Sequence, residues 1–109
     1  MSLCCDPPAC NIPAAGGSSN HKLINGTPDR LVFKMKSSNN NDYRITPVFG
    51  FVEPLNSADL NITRTTGPPK EDKLVVHYSP APPDATDPQA TFGLVLPAGM
   101  FTIPITAVQ

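Results

Sequence analysis

Fourteen prolines are scattered through 109 residues, and that density excludes a helical bundle. Each proline lacks a backbone donor and clashes with the preceding helical turn. Apolar residues still make up 39% of the chain, too many for a disordered proline-rich tract. The length suits one domain with one core. The combination predicts a single all-β domain over residues 1–109 with turn-rich connections. Residues 1–9 are expected to be a loose N-terminus.

Between the turn signals the sequence alternates. Residues 30–36, RLVFKMK, place Leu31, Phe33 and Met35 on one side and Val32, Lys34 and Lys36 on the other. Tyr43 and Ile45 oppose Arg44 and Thr46. Over residues 58–65, Leu60 and Ile62 point inward. Residues 72–79 set Leu74, Val76 and Tyr78 against Lys73, Val75 and His77. Further short strands are expected at 10–12, 21–25, 48–52, 92–96 and 101–107, with loops at 16–19, 67–70 and 80–90. Pro47 cannot continue a ladder and ends or bends its strand; Pro47, Gly50 and Pro54 are read as structural turn positions. No segment keeps helical periodicity over two turns. This pattern predicts an all-β, immunoglobulin-like seven-stranded β-sandwich. Its core is expected to hold Leu31, Phe33, Ile45, Leu60, Ile62, Leu74, Val76, Phe101 and Ile103.

Several function classes drop out. A formal net charge of -1 lacks the basic excess of a nucleic-acid binder. The opening MSLCCDPPAC has no basic segment followed by an apolar one, so no secretory signal is read. No stretch reaches the roughly 20 apolar residues of a membrane span. The expected location is cytoplasmic, without membrane insertion, so the sequons at Asn25 and Asn61 should stay unmodified. Cys4, Cys5 and Cys10 are then expected as reduced thiols. His21 is the nearest further metal ligand, but the spacing matches no zinc pattern. No metal and no cofactor are expected. His77 has no nucleophile or carboxylate motif around it, so no catalytic residue is assigned. Residues 80–83 contain a PxxP that reads as a rigid loop.

Four elements, in order, carry a resemblance: FKMKSSN at 33–39, YRITP at 43–47, GFVEP at 50–54 and DKLVV at 72–76, closed by TIPI at 102–105. Together they resemble the major sperm protein (MSP) domain family, from about residue 10 to residue 107, and look closest to its short nematode sperm-specific members. The resemblance implies an immunoglobulin-type sandwich of MSP/PapD-like kind, no catalytic activity, and a cis bond before Pro47. It implies work by protein–protein contact in the MSP-based cytoskeleton of amoeboid sperm, with the pseudopod as location. The partners would be the chain itself as a homodimer or other MSP-domain proteins. The family's adaptor branch uses the same domain to bind short acidic peptides with two phenylalanines. Carried over, that peptide-binding face would comprise Lys34, Lys36, Ser37, Ser38 and Lys73, with Val75 beside them. Val75 stands where adaptors have methionine, and residues 91–109 contain no basic residue.

Overall fold

A computed structural model describes residues 3–109. The clearest alternations become the central strands. β3 (Gly17–Asn25), β4 (Leu31–Ser37), β7 (Ser57–Arg64), β8 (Lys70–Pro80) and β9 (Gly99–Val108) each bury one face. Short edge segments complete them: β1 (Leu3–Asp6), β2 (Cys10–Pro13), β5 (Tyr43–Thr46) and β6 (Phe49–Val52). A four-stranded sheet has the order β1-β3-β7-β5, and a five-stranded sheet the order β2-β9-β8-β4-β6. All pairings are antiparallel except β2 with β9. The inward side chains of Leu23, Phe33, Leu60, Ile62, Leu74, Val76, Ile103 and Ile105 are fully buried between the sheets. Ile45 and Phe101 pack against this core from partly exposed positions. The expected sandwich is present. Two edge runs change sheets, β1 into β2 and β5 into β6; with each run counted as one strand, the nine segments among the described residues make the seven strands of the expected sandwich.

Four local expectations are corrected. Residues 3–6, expected to be loose, form β1 on the edge of β3, with Leu3 opposite Asn25 and Cys5 opposite Leu23. Leu3 and Cys5 are buried there, and that burial holds the segment in place; Met1 and Ser2 lie outside the described residues. Residues 16–19, expected as a loop, are already strand from Gly17, and the turn is carried by Gly16 at φ +118°. Residues 92–96, expected as a strand, are not one: Phe92 ends a single helical turn, α1 (Pro88–Phe92), and a turn follows it. Asp87 caps it by accepting from the Gln89 and Ala90 amides at 3.0 and 3.2 Å, and Pro88 occupies its first turn. Val32, expected on the outer face, is fully buried because α1 packs on β4 and β6 over it.

Of the three turn positions, Pro47 follows β5 through a cis bond. Pro54 lies in a turn closed by Asn56 N–H donating to the Glu53 carbonyl at 3.1 Å. Gly50, expected in a turn, lies inside β6 opposite Phe33. A Cβ on Gly50 would stand 2.6 Å from Phe33 Cζ, so the demand for glycine comes from packing.

No helix among the described residues is long and apolar enough to cross a membrane.

Candidate functional site

Lys34, Lys36, Lys73 and Val75 meet on the outer face of the five-stranded sheet. β4 pairs with β8 so that Lys36 lies opposite Val75 and Lys34 opposite His77. β8 pairs with β9 so that Val75 faces Thr102, His77 faces Met100 and Lys73 faces Pro104. Neighbouring strands are about 5 Å apart, which brings the three lysines to neighbouring outer positions around Val75. None of the three lysines enters an ion pair among the described residues. Lys34 Nζ lies 5.6 Å from the centre of the Phe49 ring, and Phe49 meets Phe92 edge-on at 6.3 Å. The face is therefore cationic at its centre and aromatic toward β6 and α1.

Ser37 and Ser38 contribute differently from the expectation. The Ser38 hydroxyl donates to Asp72 Oδ1 at 3.1 Å and accepts from the Lys73 amide at 3.0 Å. The Ser37 hydroxyl accepts from the Asn39 amide at 3.1 Å. Asn39 is buried; it donates to Asp42 Oδ2 and Asp72 Oδ2 and accepts from the Asn41 and Asp42 amides. The polar run thus closes a turn and ties it to β8. Its hydroxyls are committed inside the chain, and its effect on the face is to fix where Lys36 and Lys73 stand. His77, Thr102, Met100, Phe49 and Phe92 join the face. Alternation alone puts His77 there, whereas the β8–β9 register is needed to add Met100 and Thr102.

On the opposite outer face, of the four-stranded sheet, the central strands pair their polar groups with one another, and Arg44 on the edge strand β5 stands exposed. Lys22 pairs with Asp59, Asn61 donates to Asn20 at 2.6 Å, and Thr63 donates to Asn61 at 2.8 Å. His21 is buried at the rim of this sheet. Its Nδ1 donates to the Pro7 carbonyl at 2.9 Å, so its Nε2 accepts from the Ser19 hydroxyl at 2.7 Å. Nδ1 holds the crossover from β1 to β2 and Nε2 is engaged within β3, which leaves neither for a metal. Among the described residues no three His, Cys, Asp or Glu side chains converge as metal ligands do.

All three cysteines are free, with Cys4 exposed and Cys5 and Cys10 buried. Burial, reinforced by the charges of Cys4, Asp6 and Cys10, raises the Cys5 thiol from the ordinary 9.0 to about 11. Burial also raises Cys10. Because the thiolate is the reactive form, iodoacetamide at pH 8 should label Cys4 and spare Cys5 and Cys10 until the chain unfolds. The same shift has a signed consequence. Between pH 9 and about pH 11 the unfolded chain releases the Cys5 proton while the folded chain keeps it, so stability falls as pH rises through that window. Equal labelling of all three thiols in the native protein would overturn this assignment.

The comparisons with known proteins agree with this architecture. Residues 2–100 match the family model for the MSP (Major sperm protein) domain. Sperm-specific class P protein 16 of Caenorhabditis elegans is 69% identical over 107 residues, covering 98% of each chain. Sperm-specific class P protein 19 of the same nematode is 66% identical with the same coverage. The solved structure of SSP-19, described as an MSP-domain protein like family member in C. elegans, superposes with a TM-score of 0.96 at 64% identity, over 98% of this chain and 100% of that one. The YadV chaperone matches at a TM-score of 0.72 and 13% identity, over 98% of this chain and 51% of that one, a likeness of fold alone. The order of the strands, the sheet-switching edges and these relatives lead to one statement: the chain belongs to the major sperm protein domain family.

Proposed function

We propose that this chain is a non-enzymatic protein of amoeboid nematode sperm that acts by protein–protein contact, in or on the MSP-based cytoskeleton of the cytoplasm and pseudopod. The observation that carries this reading is the asymmetry of the two outer faces. One pairs its central Lys22 with Asp59 and bonds Asn61 to Asn20, and keeps a single unpaired cation among the described residues, Arg44 on its edge strand. The other offers Lys34, Lys36 and Lys73 without carboxylate partners, set among Val75, Met100 and Phe49. A cationic and apolar sheet face of this kind is suited to a protein partner, and the sperm-specific relatives supply the setting. The test is co-sedimentation with assembled MSP fibres. The wild type is expected in the pellet, and Lys36→Glu/Lys73→Glu in the supernatant. A protein that stays monomeric by sedimentation equilibrium and leaves the pellet empty would overturn the reading.

A second reading rests on the same lysines: a short acidic peptide of the two-phenylalanine type, laid along β4 and β8 with Lys34, Lys36 and Lys73 facing its carboxylates and Val75 its apolar side chain. The closing strand adds Thr102 and Pro104 to this face and no cation. Such binding would weaken steeply with salt, because exposed charges are screened over about 10 Å at 0.1 M ionic strength. Titration of a labelled acidic peptide at two salt concentrations, against wild type and Lys73→Glu, decides it. A response that ignores both salt and the substitution excludes it.

A further inference from the structure

The segment from β8 to β9 presents a surface that the lysine face does not include. Residues 88–109 contain no Asp, Glu, Lys, Arg or His. Within that uncharged stretch Leu94 and Leu96 are 88% and 89% exposed, an unusual position for two leucines one residue apart. Leu94 and Val95 line one side of a shallow groove whose other walls are Pro82, Ala85 and Ala90. Asp84 and Asp87 stand at its rim. Neither carboxylate enters an ion pair among the described residues. Asp87 caps α1 through Oδ1 alone.

The nearby cation is already engaged. Arg30 lies beneath the loop, pairs with Glu53 at 2.9 Å, stacks 3.8 Å over the Phe51 ring and donates to the Ala85 carbonyl at 2.7 Å. It therefore fastens the groove to the sheet and does not neutralise the rim. The groove has a floor of small apolar side chains, Leu94 projecting at one side with exposed Leu96 just beyond it, and negative charge along one edge. Exposed apolar groups gathered in this way mark interaction sites, and the sign of the rim selects the partner.

We propose that the groove between residues 82–87 and 90–95 docks a short protein segment that carries a leucine-type side chain next to lysine or arginine. The apolar side chain would sit against Pro82, Ala90 and Leu94, and the cation would meet Asp84 and Asp87. This is a second surface of opposite sign to the lysine face, so the domain could hold two different segments at once. The inference deepens the protein-contact reading above but does not need the lysines.

The test is a chemical-shift titration of the full-length 15N-labelled protein with two synthetic ten-residue peptides, one built of leucine, lysine and serine, the other with every lysine replaced by glutamate. The lysine peptide is expected to move the amides of residues 84–96 and to leave residues 34–36 and 73–75 in place. The glutamate peptide should leave 84–96 unmoved. Leu94→Ser/Leu96→Ser should weaken the lysine peptide about tenfold, the scale set by losing one buried leucine contact. Asp84→Lys should weaken it in a salt-dependent way. Both changes lie at exposed positions outside the core, so the spectra elsewhere report that the fold is kept. Lys36→Glu/Lys73→Glu should bind the lysine peptide like the wild type, which separates failure of this groove from failure of the lysine face. Absence of shifts at 84–96, equal shifts from the two peptides, or wild-type affinity in the leucine variant would each overturn the proposal.

Discussion

Asn25→Asp is expected to remove about 3–5 kcal/mol of stability, the range for a buried charge left without a partner. Asn25 is 1% exposed at the end of β3. Its Nδ2 donates toward the carbonyls of Asp29, Val52 and Glu53 at 2.7, 3.1 and 3.2 Å, and its Oδ1 accepts from the Thr27 amide and hydroxyl at 2.9 and 2.7 Å. One side chain thus joins the turn after β3 to the end of β6. Aspartate has the same shape and no donor, so a carboxylate would face three carbonyl oxygens with no cation to offset it. Against a total stability of about 5–15 kcal/mol for a domain, that is a large share. Asn25→Ala should cost less, about 1–3 kcal/mol, because it strands polar groups without adding charge. Urea unfolding followed by circular dichroism measures both. A wild-type midpoint for Asn25→Asp at pH 7 would show that the amide bonds are not formed. The same burial keeps this sequon asparagine out of reach of modification in the folded chain.

Gly50→Ala should cost about 1–3 kcal/mol, the usual penalty for overpacking a core. The new methyl would enter within 2.6 and 2.8 Å of Phe33 Cζ and Cε2. Phe33 is fully buried between the sheets, so the ring has nowhere to move. The proof of cause is a double-mutant cycle. Phe33→Leu shortens the ring side chain and opens space at the contact, so the loss in Gly50→Ala/Phe33→Leu should fall well short of the sum of the two single losses. Additive losses would mean that Gly50 matters for its backbone and not for Phe33.

What could be read from the chain follows from where a local period was long enough to speak. β4, β7 and β9 each alternate over three buried positions, and β8 over two followed by the half-buried Tyr78, so Leu31, Phe33 and Met35, or Leu74 and Val76, declare a face without help. β1 offers only Leu3 and Cys5 in four residues, too few to separate a strand from a proline-flanked terminus. α1 is one turn and has no period at all. Its single local sign was Asp87-Pro88, a cap followed by a proline. Gly50 reads as a turn residue because glycine usually is one, and only the ring across the ladder shows the other reason.

The candidate face divides along the same line. Side-chain alternation has a period of two, so the residues themselves determined that Lys34 and Lys36 share one side of β4, and Lys73, Val75 and His77 one side of β8. Composition determined the β class, because fourteen prolines leave no room for long helices. Alternation carries no register, since a strand may slide by two residues and keep its faces. Whether Lys36 stands beside Val75, whether Ser38 is free or bound to Asp72, and whether Val32 is bare or covered by α1 depend on which strand lies next and where it starts. Those partners are distant in sequence: Ser38 and Asp72 are 34 residues apart, and Arg30 and Ala85 are 55. Long-range packing of the two sheets against one core selected them, and only the tertiary structure holds that choice.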